Sequence, residues 1–179
     1  MPEPRPLLSL DAALARLIEG GSAARITDVE TIATFDALGR VLAQDVVSLI
    51  DVPPQDNTSM DGYALRVADV RQHGTVLPLS QRIAAGHVGA PLAEGTAARI
   101  FTGAQVPAGA DAVVMQEQCE ATGDNAVRIN ILPQPGQWIR RRGEDVRAGA
   151  TVLARGTRLT PQAQGLVGTV GAATLAVIR

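Results

Sequence analysis

Three carboxylates, Asp51, Asp56 and Asp61, stand five residues apart in the segment Asp51-Val-Pro-Pro-Gln-Asp-Asn-Thr-Ser-Met-Asp-Gly-Tyr-Ala64. Oxygen ligands on a glycine-containing turn suit a hard cation, and a single carboxylate on a tight turn can complete an acid/base site. The calcium reading fails on spacing. An EF-hand loop begun at Asp56 needs oxygen donors at its third and fifth positions, glycine at its sixth and glutamate at its twelfth. Thr58, Met60, Asp61 and Val67 stand there instead. Pro53 and Pro54 fix φ and hold the start of the segment extended, while Asp56, Asn57, Thr58 and Ser59 can each hydrogen-bond local backbone. Asp61-Gly62 then turns the chain into the apolar run Tyr63 to Val67. A solvated inter-domain linker is the plainest use of such a loop; a site is the alternative that its turn chemistry invites.

Ser59 raises the question of a nucleophile, yet Thr-Ser-Met-Asp-Gly lacks the small residues of a nucleophile elbow. The only imidazoles are His73 and His87, with no acidic partner at a telling spacing, so a serine hydrolase is rejected. A second dense loop, Phe101-Thr-Gly-Ala-Gln-Val-Pro-Ala-Gly-Ala-Asp111, offers the Thr102 hydroxyl and backbone N–H groups freed by Gly103 and Gly109. Such a turn can cradle an oxyanion, but it lacks the Lys-Ser/Thr pair of a P-loop and also reads as a plain strand connection. A third is Arg140-Arg-Arg-Gly-Glu-Asp145. Three guanidiniums cannot share one face of a strand, so at least one is expected to point to solvent; the others can pair with Glu144 and Asp145 or bind phosphate.

The elements that must position these loops follow from the apolar pattern. Leu10, Leu14, Leu17 and Ile18 fall on one face of a helix from Ser9 to Gly20, with Ser9 as N-cap and Gly20-Gly21 as the stop. Thr31 to Gly39 reads as a short strand turning into a short helix. Apolar runs at Tyr63–Val67, Val76–Leu79, Ala97–Phe101, Ala112–Met115 and Ala126–Ile131, with a hairpin turn at Thr122-Gly-Asp-Asn125, predict a small β-barrel or sandwich. Thr151–Leu153 and Thr157–Leu159 read as a strand pair. Thr160 caps a helix that starts at Pro161, Gly171 ends it, and Thr174–Ile178 is a last strand. The predicted class is therefore α+β: a discontinuous N-terminal domain (residues 1–50 and 140–179) with a barrel-like β domain (51–139) inserted into it.

A chain of 179 residues suffices for one full core or two small ones. Aromatic residues make up 2%, so base stacking is not its binding mode, and a net charge of -2 argues against a nucleic-acid or polybasic membrane-surface binder. Cys119 is the only cysteine, which excludes an intrachain disulfide and a multi-cysteine zinc site. The start, Met1-Pro-Glu-Pro-Arg-Pro, has no apolar core of a signal peptide, and the expectation is a cytoplasmic protein. Because Arg179 follows an apolar strand with no polar tail, a longer protein cut at a domain boundary is also expected.

Taken together the loops resemble the N-terminal half of the molybdopterin molybdenumtransferase family, the MoeA family that includes the E domain of gephyrin. The matching segments are Ala37-Leu-Gly-Arg-Val-Leu-Ala43, Asp51-Val-Pro-Pro, Asp56-Asn, Ser59-Met-Asp-Gly-Tyr-Ala64, Arg99-Ile-Phe-Thr-Gly-Ala104, Gly109-Ala-Asp-Ala-Val-Val114 and Arg140-Arg-Arg-Gly-Glu-Asp-Val146, in family order. Gln55 stands where members commonly have an aromatic residue, and Thr58-Ser59-Met60 where they commonly have Ser-Ala-Met.

The resemblance implies insertion of molybdate into adenylylated molybdopterin, with Mg2+ as cofactor and release of AMP. It implies a homodimer whose cleft lies between the β domain of one subunit and the pterin-binding domain of the other. Asp61, Thr102 and Asp145 are the catalytic positions it transfers to this chain, with Ser59, Gly103 and Arg140 as cofactor-binding positions; the metal ligands stay unassigned. The pterin-binding domain and the C-terminal β domain are expected beyond Arg179, so this chain alone is expected to be inactive. A non-catalytic dimerisation or scaffold module is the alternative. A third reading, a small anion- or metal-binding module, would show molybdate or magnesium binding to this chain, of which little or none is expected.

Overall fold

The computed structural model describes residues 7–179; the start of the chain, on which the signal-peptide reading rests, lies outside the described residues. Along the chain come α1 (Leu10–Ala23), β1 (Val29–Ala33), β2 (Val46–Val47), β3 (Asn57–Thr58), β4 (Gly62–Leu65), β5 (Thr75–Ile83) and β6 (Ala97–Ile100). Then follow β7 (Ala112–Met115), β8 (Cys119–Thr122), β9 (Ala126–Ile129), β10 (Ile139–Arg140), β11 (Thr151–Leu153), α2 (Pro161–Thr169) and β12 (Thr174–Ile178). Two compact units result. One holds the chain up to Val46 with Leu153–Gly168 and Ala172–Arg179, and the other holds Val47–Val152 with Thr169–Gly171. The Arg140–Asp145 segment therefore lies in the second unit, with the carboxylate loop.

In the first unit Ser9 caps α1 as its position suggests, its hydroxyl accepting from the Ala12 N–H at 3.2 Å. Gly20-Gly21 does not stop the helix, which continues to Ala23. None of its residues is buried, and Leu10, Leu14, Leu17 and Ile18 all stand exposed. β1 pairs antiparallel with β12, from Val29 opposite Ile178 to Ala33 opposite Thr174. The turn after β1 is a single 3-10 turn, Thr34–Asp36. Thr160 Oγ1 accepts from the Ala163 N–H at 3.2 Å at the start of α2, which completes the capping expected there. Leu42, Leu159, Val167, Leu175 and Val177 are buried and make the small core. Thr157–Leu159 is not a strand: Arg158 forms an isolated bridge to Val41, and β11 pairs with β2 instead.

The second unit is a curled, open six-stranded sheet in the order β7-β4-β6-β5-β9-β8, a half-barrel that agrees with the barrel-like β domain expected. β5 and β6 run parallel, and the other neighbours are antiparallel. The Thr122–Asn125 turn joins β8 to β9 as predicted, with Thr122 opposite Ala126. Side chains on the two faces enter different apolar clusters. Tyr63, Leu65, Val114, Val127 and Ile129 share one, and Ala64, Ile83, Ile100 and Val113 share the other. All four residues of β4 are consequently buried, as in a strand covered on both faces. A side chain at Gly62 would overlap the Val114 carbonyl oxygen, so glycine lets β4 approach β7 and fixes where Asp61 leaves the sheet.

No helix among the described residues is long and apolar enough to cross a membrane.

Candidate functional site

The three loops singled out from the sequence meet at one strand of two residues. β3 pairs with β10 on one side, Thr58 opposite Ile139 and Asn57 opposite Arg140. On its other side Asn57 bridges Gln105, the Thr58 N–H donates to the Ala104 carbonyl at 3.0 Å, and the Gly103 N–H donates to the Thr58 carbonyl at 2.8 Å. Thr58 is 1% exposed, so its hydroxyl needs internal partners. It donates to the Met60 carbonyl at 2.8 Å and accepts from the Met60 N–H at 3.1 Å, closing a tight turn that delivers Ser59, Met60 and Asp61.

Asp61 ends that turn, half-buried, against the second loop. Its Oδ1 accepts the Thr102 N–H at 2.8 Å and the Thr102 hydroxyl at 2.6 Å. The hydroxyl bond above all, then the N–H bond and the charge of Arg99, holds the Asp61 carboxyl below the usual carboxylate range. The Thr102 loop reads in the sequence either as an oxyanion cradle or as a plain strand connection. In the structure the Thr102 N–H and hydroxyl both donate to Asp61, so the anion they stabilise is a residue of the protein.

The arginine segment departs from expectation. All three guanidiniums reach carboxylates, and none is left to solvent alone. Arg140 Nη2 lies 2.7 and 2.6 Å from the two oxygens of Asp145, with Glu144 3.7 Å from its Nε. Arg141 Nη1 meets Asp56 at 2.7 Å, and Arg142 Nε meets Asp51 at 2.6 Å. Backbone donors complete the clasp: Arg142 N–H to Asp56 at 2.8 Å and Ala148 N–H to Asp51 at 2.8 Å. The Ala148 N–H first, then Arg142, holds Asp51 below its ordinary range. Burial works against the Asp56 charge, but the Arg142 N–H and the Arg141 guanidinium outweigh it. Asp51 and Asp56 thus hold the loop to the arginine segment, a role that sequence spacing did not disclose.

The structure therefore joins Asp61 to Thr102 and Arg140 to Asp145, and no hydrogen bond or ion pair links the two pairs among the described residues. Ser59 uses its N–H and hydroxyl on the Trp138 carbonyl, at 3.1 and 3.3 Å, and has no imidazole partner. Trp138 itself has φ 55° and is 37% exposed. Gly103 is exposed with φ +82°, a conformation that favours glycine. His73 and His87 each lie by a backbone carbonyl, Asn130 at 2.9 Å and Ala85 at 3.3 Å. Among the described residues no group of three or more His, Cys, Asp or Glu is placed to hold a metal ion. The carboxylates named above face arginine or threonine instead. Burial pushes the Cys119 thiol up to about 12, which leaves it a poor nucleophile.

Residues 8–171 match the family model for the MoeA N-terminal region, domains I and II. The chain belongs to the MoeA N-terminal family. Its relatives include the molybdopterin molybdenumtransferase of Haemophilus influenzae, 38% identical over 173 residues, which cover 97% of this chain and 42% of that protein. Molybdopterin molybdenumtransferase 2 of Mycobacterium tuberculosis is 42% identical over 153 residues, covering 83% of this chain and 38% of the relative. A crystal structure of a molybdopterin biosynthesis MoeA protein from Pyrococcus horikoshii superposes with a TM-score of 0.83 at 31% identity, over 93% of this chain and 44% of that one. The MoeA segment described here thus spans about two-fifths of the length of these relatives. The α+β class and the curled sheet are those of this family, and the family's place is in molybdenum cofactor biosynthesis.

Proposed function

We propose that this MoeA segment supplies the first two domains of a molybdopterin molybdenumtransferase, the enzyme that inserts molybdate into adenylylated molybdopterin and releases AMP, and that the segment is inactive by itself. The observation that carries the reading is the Asp61–Thr102 pair, formed where three motif loops meet on β3. Substrate phosphates and molybdate are anions, so an ionised carboxylate does not bind them directly. It accepts a proton or orients a water that reacts with them. Thr102 positions Asp61 and keeps it ionised; the roles of Asp145 and Arg140 are those the family resemblance implies, and these two residues are ion-paired with each other. Ser59 and Gly103 flank this arrangement through the Trp138 and Thr58 carbonyls.

Magnesium belongs to the same proposal, but this chain offers no set of three acidic, cysteine or histidine ligands among its described residues. A homodimer is also part of the reading, and the exposed apolar face of α1 is the surface that suits it. A cytoplasmic setting fits the single, half-buried free thiol. The direct experiment is a molybdate-insertion assay on a complete enzyme that contains these residues, against the isolated segment. Insertion by the former and none by the latter is expected; an isolated segment that turns over, or a complete enzyme that does not, removes the proposal.

The second reading, a non-catalytic dimerisation module, is favoured by α1 alone. A complete enzyme that retains insertion after its α1 leucines are made polar, while losing its dimer, separates assembly from catalysis.

A further inference from the structure

The second unit also contains a cleft of about 410 Å³ whose lining includes Arg82, Arg99, Tyr63, Ser80 and Asn125. Arg82 and Arg99 are register partners across the parallel β5–β6 ladder, so their side chains leave neighbouring strands on the same face. Like charges directly opposite each other in a sheet destabilise it. No ion pair joins either guanidinium to a carboxylate among the described residues, although Arg99 is near enough for its charge to lower the Asp61 pKa.

Both cations are nonetheless held in place. The Phe101 ring lies 4.5 Å from the Arg82 Cζ and 4.6 Å from the Arg99 Cζ, and Tyr63 lies 5.0 Å from Arg99. Arg99 Nη1 donates to the Gly62 carbonyl at 3.1 Å and Nη2 to Gln116 Oε1 at 2.6 Å. These acceptors orient the guanidinium without cancelling its charge. The result is two guanidiniums at one cleft, neither in an ion pair among the described residues, an arrangement suited to phosphoryl oxygens.

We propose that this cleft binds a phosphoryl oxyanion and takes a diphosphate better than a single phosphate, one fork to each phosphoryl group. The assignment to a substrate rests on the molybdenumtransferase reading, because an adenylylated phosphate ester carries a diphosphate bridge and Phe101 is the neighbour of Thr102. The binding itself needs no turnover, so it can fail while the activity stands, or the reverse.

The test is calorimetric titration of this chain with inorganic pyrophosphate and, separately, orthophosphate, at low ionic strength and without magnesium. Pyrophosphate is expected to bind more tightly than orthophosphate, and Arg82→Gln and Arg99→Gln are each expected to weaken it by at least about tenfold. Arg71→Gln, which removes the same charge elsewhere on the exposed surface, is expected to leave the affinity unchanged. Arg99 also ties Gly62 and Gln116, so its loss can disturb the sheet; Arg82 stacks on the Phe101 ring and has no ion pair among the described residues, which makes Arg82→Gln the deciding variant. Unchanged pyrophosphate affinity in Arg82→Gln overturns the proposal, as does equal affinity for the two anions or no binding by the unsubstituted chain.

Discussion

The Asp61 carboxylate takes two hydrogen bonds on one oxygen from one residue, Thr102, 41 positions away in sequence. Each motif is a loop whose own sequence explains its turn, but the pair exists only because β3 draws the loops together. The Thr102 hydroxyl is the largest cause of the lowered Asp61 pKa.

Thr102→Val should therefore raise the Asp61 pKa toward the ordinary aspartate value, and Thr102→Ser should largely restore it. Carboxyl-carbon NMR titration of Asp61 measures this directly. Because the folded value lies below the unfolded one, Asp61 contributes stability above the unfolded pKa and loses it as pH falls through the folded pKa. An Asp61 titration that ignores Thr102→Val would detach the hydroxyl from the carboxylate.

The clasp between Asp51 and Arg142 predicts a pH-dependent variant. Asp51→Asn should be less stable than the unsubstituted chain at neutral pH, where the carboxylate is ionised in both states. The Asp51 pKa is lowered on folding, so the gap should close as pH drops below the ordinary aspartate range, once both forms are protonated. Urea unfolding at neutral pH and at about pH 2 checks it. A gap of the same size at both would mean that packing and not charge holds the loop.

Much of this arrangement was legible and part was not. The apolar runs that became β4, β6, β7 and β9 announced themselves because both faces of the sheet are covered, and Thr160-Pro161 announced α2. β3 and β10 left no signal, since two polar or mixed residues paired with a distant segment have no periodicity to show. The α1 stripe looks the same in sequence whether a core or solvent lies beside it, and here no residue of it is buried. The family resemblance pointed to Asp61 and Thr102 separately. Their hydrogen bonds, and the use of Asp51 and Asp56 as partners of Arg142 and Arg141, are tertiary facts.

Gly62→Ala should cost roughly 3 kcal/mol, because the added methyl meets the Val114 carbonyl in a two-sided sheet that cannot give way easily. Ile100→Ala, at a fully buried position, should cost about 2–5 kcal/mol. Urea unfolding of the two variants measures both. A Gly62→Ala chain as stable as the original would mean that β4 and β7 separate without penalty.

Cys119 offers a chemical check on the second unit. With its pKa pushed up to about 12 by burial, it should resist thiol reagents at mildly alkaline pH and react promptly once urea unfolds the chain. Rapid labelling of the folded chain would show that the edge at β8 opens readily.

The measurement closest to the central claim is molybdate insertion into adenylylated molybdopterin by a complete enzyme carrying Asp61→Asn, compared with the unsubstituted enzyme and with circular dichroism as the control for folding. The Asp61–Thr102 account predicts a folded enzyme whose turnover falls by at least about a hundredfold, the scale of a lost acid/base group. Unchanged insertion by the folded Asp61→Asn enzyme would contradict it.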